Sequence, residues 1–117
     1  HTVQGGSNII KLRGRSSFQS PAYNAVKMIE AAMGGEEFTL PAGCYVNCEK
    51  CGFKNVMMAM PTTIDKTGVH FTEPTGTEEE LASLAKSYEH LCKMRDEIVE
   101  LGIVPPVAEW TKMNPNL

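Results

Sequence analysis

The spacing of apolar positions changes along the chain, and each change marks an element. From Pro21, Ala22, Ala25, Val26, Ile29, Ala32 and Met33 recur at intervals of three and four, with Lys27 and Glu30 off the stripe. That spacing predicts a helix over 21–33, stopped by Gly34-Gly35. Phe38, Leu40, Ala42, Cys44 and Val46 then alternate with Glu37, Thr39, Gly43 and Tyr45. Period two predicts a half-buried strand, and Pro41 within it an edge position or a bulge. After a turn at 47–52, residues 53–60 read as a second strand. Its run Val56-Met57-Met58-Ala59-Met60 is apolar on both faces, which predicts cover on two sides. Asp65 to Gly68 is a turn, and residues 69–72 are a short strand completing a hairpin.

Thr77-Glu78-Glu79-Glu80 has the form of a capping box, and its acidic first turn suits the helix dipole. Leu81, Leu84, Tyr88, Leu91, Ile98 and Leu101 form the buried stripe that follows. Arg95 interrupts it, and Gly102 stops a helix about 36 Å long at 1.5 Å per residue. The tail, 103–117, contains Pro105, Pro106, Pro115 and the single Trp, Trp110. It is expected to be extended, with Trp110 anchoring it to the body or to a partner. Before the first long helix, Ser7 is a candidate cap for a short helix carrying Ile9, Ile10 and Leu12, with Gly14 as its C-cap. Consecutive strands with short connections imply an antiparallel sheet of about three strands, packed with a shorter helix and a long C-terminal helix. The class is α+β.

Between the two N-terminal apolar segments lies a polar knot, Gly14-Arg15-Ser16-Ser17-Phe18-Gln19-Ser20-Pro21-Ala22. Ser20 reads as an N-cap and Pro21 as the first helical residue. Hydroxyls and a guanidinium beside a helix N-terminus favour a small anion, although a capped helix start needs no ligand.

Composition sets limits. With 117 residues, 42% of them hydrophobic and 21% charged, the chain is expected to be one globular domain, residues 1–117. A formal net charge of −3 argues against a nucleic-acid partner. No apolar run approaches the roughly 20 residues that span a bilayer, so no membrane partner is expected. Four cysteines and no visible secretory leader suggest the cytoplasm. The first residue is not Met, and residues 1–13 read as the end of something longer.

The cysteines are the loudest local signal. Cys44-x3-Cys48-x2-Cys51 has the spacing of the radical S-adenosylmethionine iron–sulfur motif, but such enzymes need a far larger partial barrel. Cys48-x2-Cys51-Gly52 at a hairpin tip is also a zinc half-site, or a disulfide or redox pair, or a pair of free thiols. There is no second Cys-x-x-Cys, and His90 and Cys92 are two apart on a helix, so they face different ways. No histidine has a carboxylate at fixed spacing, and His1, His70 and His90 are given no catalytic role. Phosphate loops, Ser-His-Asp arrangements and HExxH are absent. No metal site is assigned. The alternative to any enzymatic reading is an interaction or metal-binding module built on Cys44, Cys48 and Cys51.

Four stretches in order carry a family resemblance. Residues 8–18, Asn-Ile-Ile-Lys-Leu-Arg-Gly-Arg-Ser-Ser-Phe, resemble the run before a pocket-lining helix in the C-terminal domain of the lactate/malate dehydrogenase family. Residues 25–33 resemble the helix itself, residues 56–69 its strand and turn, and residues 77–87 the start of its closing helix. The likeness covers about residues 7–101 and leans towards malate dehydrogenases, bacterial forms included. It implies a substrate-side domain of an oxidoreductase moving a hydride between NAD and a 2-hydroxy acid, assembled as a homo-oligomer. It places Ser16, with Ser17 beside it, on the substrate wall, and Ser20 and Pro21 towards the nicotinamide ring. It further implies that the proton-transferring histidine, its aspartate, the substrate-clamping arginines and the nucleotide-binding domain lie upstream and are absent here. Arg13 and Arg15 are not given those roles. A fragment of this kind is expected to be inactive alone.

Overall fold

A computed structural model describes residues 3–117; His1 therefore lies outside the described residues. The elements in order are α1 (Gly5–Arg13), α2 (Gln19–Ala32), β1 (Ala42–Cys48), β2 (Phe53–Met60), β3 (Thr62–Asp65), β4 (Gly68–Phe71), α3 (Glu78–Glu100) and α4 (Val107–Met113). The class is α+β. The strands form two antiparallel two-stranded sheets, β1-β2 and β3-β4, rather than one sheet of about three. The described residues gather into two compact units, one running up to Phe38 with Ile64–Gly68, the other of Thr39–Thr63 with Val69–Leu117.

In the first unit, α1 ends where Gly14 turns left-handed at φ 72°, its N–H bonding Ile10 O at 2.8 Å. Glycine takes that conformation without a Cβ penalty, as the sequence suggests. Helix α2 ends one residue earlier than predicted and starts two residues earlier. Along it only Ala31 is buried; Tyr23, Val26 and Ile29 are exposed. Phe38 pairs with Ile64 as an isolated antiparallel bridge, and both are buried.

The second unit holds the larger core. Cys44, Val46, Phe53, Val56, Met58 and Met60, all from β1 and β2, form one buried cluster. Leu84, Tyr88, Leu91 and Cys92 of α3 pack against it half-buried. In β2 the alternation is clean: Val56, Met58 and Met60 are buried while Met57 is 61% exposed. The strand is covered on one side, not two. Its apolar run reflects β-compatible residues on an open face as well as a core face. Leu40, predicted on the core face, precedes β1 and is exposed, because alternation holds only where the backbone is paired.

A β-bulge lies between Val46 and Asn47 of β1 and the β2 residues opposite, where Val46 faces Val56 and Asn47 faces Lys54. Asn55 is the extra residue, at φ 56°, a left-handed value Asn tolerates better than most. The bulge changes the parity of β2. Without it Lys54 would face the core; with it Phe53 does. The backbone it disturbs is partnered by side chains. Tyr45 donates its hydroxyl to Asn55 Oδ1 at 2.6 Å. Tyr88 Oη accepts from Lys54 N at 3.2 Å, with its ring 4.8 Å from that of Phe53. Arg95 Nη1 donates to Lys54 O and Asn55 O at 3.3 and 3.1 Å. Arg95 thus interrupts the apolar stripe of α3 because it reaches the hairpin backbone.

Helix α3 starts as predicted. Glu80 N donates to Thr77 Oγ1 at 3.3 Å, while Thr77 N and Oγ1 donate to Glu80 Oε2 at 2.8 and 3.0 Å. The tail is not extended throughout: α4 occupies Val107–Met113, and Trp110 Nε1 donates to Pro105 O at 2.7 Å. Pro105-Pro106 ends the irregular stretch, with Pro106 at the N-cap. Proline content signalled an extended tail, but prolines that precede a helix start also suit a helix that follows them. The Trp110 ring lies 6.4 Å from that of Tyr45, so the tail is anchored within its own unit.

These contacts set the expected outcomes of unfolding experiments. Met60→Ala, at a 1% exposed site, should cost about 2–5 kcal/mol in denaturant titration, and Met57→Ala less than about 0.5 kcal/mol. Thr77→Ala should cost about 1 kcal/mol. Hydrogen bonds from the Thr77 backbone and hydroxyl hold the Glu80 carboxyl below its ordinary value. A depressed folded pKa stabilises above the unfolded value and ceases to as pH falls through the folded one. The melting temperature should therefore decline on acidification below roughly pH 4, and Glu80→Gln should weaken that decline.

Candidate functional site

The polar knot is the linker from α1 to α2 in the first unit. Its chain enters through the left-handed Gly14 and leaves through Phe18, the N-cap of α2, at φ −131° and ψ −20°. Phe18 supplies no side-chain cap, and the first turn of α2 contains no acid. The predicted cap is thus displaced: Ser20 is the second helical residue and Pro21 the third. Proline is compatible with that place because N–H groups of the first turn have no intrahelical acceptor. The first i to i−4 bond runs from Ala22 N to Phe18 O at 3.0 Å. The backbone N–H groups at this start are those of Phe18, Gln19 and Ser20, since Pro21 has none.

Two guanidinium groups flank the linker. Arg13 Nη1 donates to Gln19 Oε1 at 2.9 Å, tying the end of α1 to the start of α2. The Arg13 and Arg15 guanidinium carbons lie 5.6 and 5.0 Å from the Phe18 ring centroid. Cations at this range are attracted to the ring face. Ser16 is exposed and Ser17 half-buried. The Ser16 hydroxyl donates a long 3.5 Å contact to Ser17 O. Further along α2, Lys27 is paired with Glu30 at 2.8 Å, and that hydrogen bond raises the lysine pKa. Residues 13–20 therefore join two cations, a helix N-terminus and serine hydroxyls, an arrangement suited to a carboxylate or another small anion.

Ser16, Ser17, Ser20 and Pro21 fall together on the linker and the first turn it feeds. The stacking of Arg13 and Arg15 on Phe18 and the Arg13–Gln19 bond were not legible from spacing, since an aromatic between basic residues fits many local structures. His70 and His90 are exposed, on β4 and α3 of the second unit. Among the described residues no three or more His, Cys, Asp or Glu side chains come together as a metal site. Cys48 and Cys51 are joined in a disulfide, and Cys44, free, is buried on the core face expected for it. The metal-binding module therefore finds no donor set among these residues.

An α+β domain with a capped long helix, an antiparallel hairpin core and a hydroxyl-bearing linker before a helix defines the class of the chain. Residues 1–101 match the family described as lactate/malate dehydrogenase, alpha/beta C-terminal domain. The chain belongs to this family. It is 37% identical over 90 residues to a malate dehydrogenase of Geobacillus kaustophilus (strain HTA426), covering 75% of this chain and 28% of that protein. It is 34% identical over 87 residues to a malate dehydrogenase of Sorangium cellulosum (strain So ce56), covering 74% and 28%. A malate dehydrogenase of Anoxybacillus flavithermus (strain DSM 21510 / WK1) is 36% identical over 90 residues, with 75% and 28% covered. The matches span 28% of the length of these curated relatives.

Proposed function

We propose that residues 1–117 are the substrate-side domain of an NAD-dependent malate dehydrogenase, interconverting malate and oxaloacetate when joined to a nucleotide-binding domain. The observation that carries this reading is the match across residues 1–101 together with the linker's cations and hydroxyls. Malate and oxaloacetate are small dicarboxylates, and that linker has the chemistry to receive a carboxylate. Ser16 and Ser17 stand on the substrate wall, and Ser20 and Pro21 face the nicotinamide ring. Substrate-clamping arginines and the proton-transferring histidine are supplied by other residues of the intact enzyme.

The chain alone has no turnover in this reading, because hydride transfer needs a bound nucleotide and an acid–base group aligned with the 2-hydroxyl carbon. Tyr23, Val26 and Ile29 expose apolar surface along α2, which supports a homo-oligomeric assembly in the intact enzyme. No helix among the described residues is long and apolar enough to cross a membrane. Neither a membrane nor a nucleic acid is a partner in this reading, and the location is the cytoplasm.

The test is an assay of oxaloacetate reduction by NADH, and of pyruvate reduction in parallel. The 117-residue chain should give no rate with either. Joined to the nucleotide-binding half of a malate dehydrogenase, it should reduce oxaloacetate in preference to pyruvate. Ser16→Ala in the joined enzyme should lower kcat/KM about 10- to 100-fold, the worth of one hydrogen bond to a charged group. Turnover by the isolated chain, or an unchanged kcat/KM in the Ser16 variant, would refute the assignment.

A further inference from the structure

The hairpin tip in the second unit has a chemistry that dehydrogenation does not use. Cys48 is the last residue of β1, Cys51 stands in the turn, and the two are disulfide-bonded with a Cα–Cα separation of 5.6 Å. The turn is already closed without the bond. Cys48 pairs with Phe53 across the hairpin, and Gly52 N donates to Glu49 O at 3.2 Å. A cross-link over so short a loop, in a turn the backbone already holds, removes little freedom from the unfolded chain. Structural stapling therefore explains it poorly. Both sulfurs belong to half-buried residues, so they are neither sealed in the core nor free in solvent.

The two sulfurs are not equivalent. Cys51 N donates to Cys48 Sγ at 3.3 Å, a contact that strengthens when negative charge develops on that sulfur. Cys48 is thus the better leaving thiolate. Cys51 instead lines a hollow of about 270 Å³ with Phe53, Glu73, Pro74, Leu81 and Ala85. Its apolar walls suit the carbon body of a small thiol. At the tip, Lys50 pairs with Glu73 at 3.9 Å and Lys54 with Glu49 at 3.2 Å, so charges of both signs surround the turn.

We propose that Cys48–Cys51 is a redox-active pair that exchanges with a low-molecular-weight thiol seated beside Cys51. The thiolate attacks Cys51 Sγ, the Cys48–Cys51 bond breaks, and its electron pair leaves on Cys48 Sγ, which then takes a proton from solvent. The mixed disulfide on Cys51 is attacked at its outer sulfur by a second thiolate. A symmetrical disulfide departs, and Cys51 leaves as a thiolate that is protonated in turn. Two thiols are oxidised to one disulfide and the pair gains two electrons; an excess of the oxidised thiol drives the reverse. This site is independent of the dehydrogenase reading.

The test uses the 117-residue chain in buffers of reduced and oxidised glutathione at varied ratios. Samples are quenched in acid, alkylated and mapped by peptide mass spectrometry, with near-ultraviolet circular dichroism reporting the fold. The pair should interconvert between disulfide and dithiol while the native spectrum persists. Cys48→Ser should accumulate glutathione on its single remaining tip sulfur, Cys51. Where that variant fails to fold, Cys92→Ser, which leaves the pair intact, serves instead. Rapid quenching of it should show at least about tenfold more glutathione on Cys51 than on Cys48. Opening only in denaturant, a pair that stays fully thiol or fully disulfide at every ratio, or first capture on Cys48 would overturn the proposal.

Discussion

The second unit depends on one extra residue, Asn55. By bulging β2 it reverses the facing of every residue on its turn side, so that Phe53 enters the core and Lys54 leaves it. A bulge also strips backbone groups of their ladder partners, and buried ones left unpaired are costly. Here α3 meets that demand: Tyr88 takes the Lys54 N–H, and Arg95 covers the carbonyls of Lys54 and Asn55. The long helix is thus held by polar bonds to one irregularity as well as by the apolar contacts of Leu84, Leu91 and Cys92. Position along the helix follows from this, because those bonds have direction while apolar packing tolerates sliding.

The parts of this fold that were legible in the sequence are those whose determinants are local. The capping box at Thr77, the left-handed Gly14 and the limits of β2 each depend on a few neighbouring residues. The parts that were not depend on partners far along the chain. Arg95 looked like a flaw in an apolar stripe because its acceptors are 40 and 41 residues away. The run Val56 to Met60 looked buried on both faces because apolarity says nothing of which side finds cover. Ser20 before proline looked like a cap, yet the helix began at Gln19, since capping propensity is a weak preference beside the geometry of the Arg13–Gln19 tie. For the candidate linker, its place between two helices was legible and its cation–aromatic stacking was not. The approach of Arg13 and Arg15 to Phe18 depends on how the linker bends.

Helix α2 illustrates the same division. Its stripe is periodic, but Val26 and Ile29 are more than 60% exposed, and Met33, which follows the helix, is 83% exposed. Periodicity reports which face of a helix is fit to be covered, not what covers it. The face of α2 that bears Val26 and Ile29 is fit for cover and stands exposed among the described residues.

The same consideration bears on Ser16. The linker ends are held, by Gly14 on one side and by the Arg13–Gln19 bond on the other. Among the described residues, the hydroxyl between them has a single long contact, 3.5 Å to its neighbour's carbonyl. Catalytic geometry demands a side chain locked by its surroundings to within about half an ångström. A serine so loosely held is positioned as a backbone but not yet as a functional group. Under the function proposed above, its orientation is left to the bound substrate. The redox pair differs in kind. Cys48, Cys51 and the N–H that polarises Cys48 all belong to one hairpin turn, and the hollow beside Cys51 is closed by Glu73, Pro74, Leu81 and Ala85 of the same unit. Of the two proposed sites, the serine linker depends on what binds it for its geometry, and the cysteine pair does not.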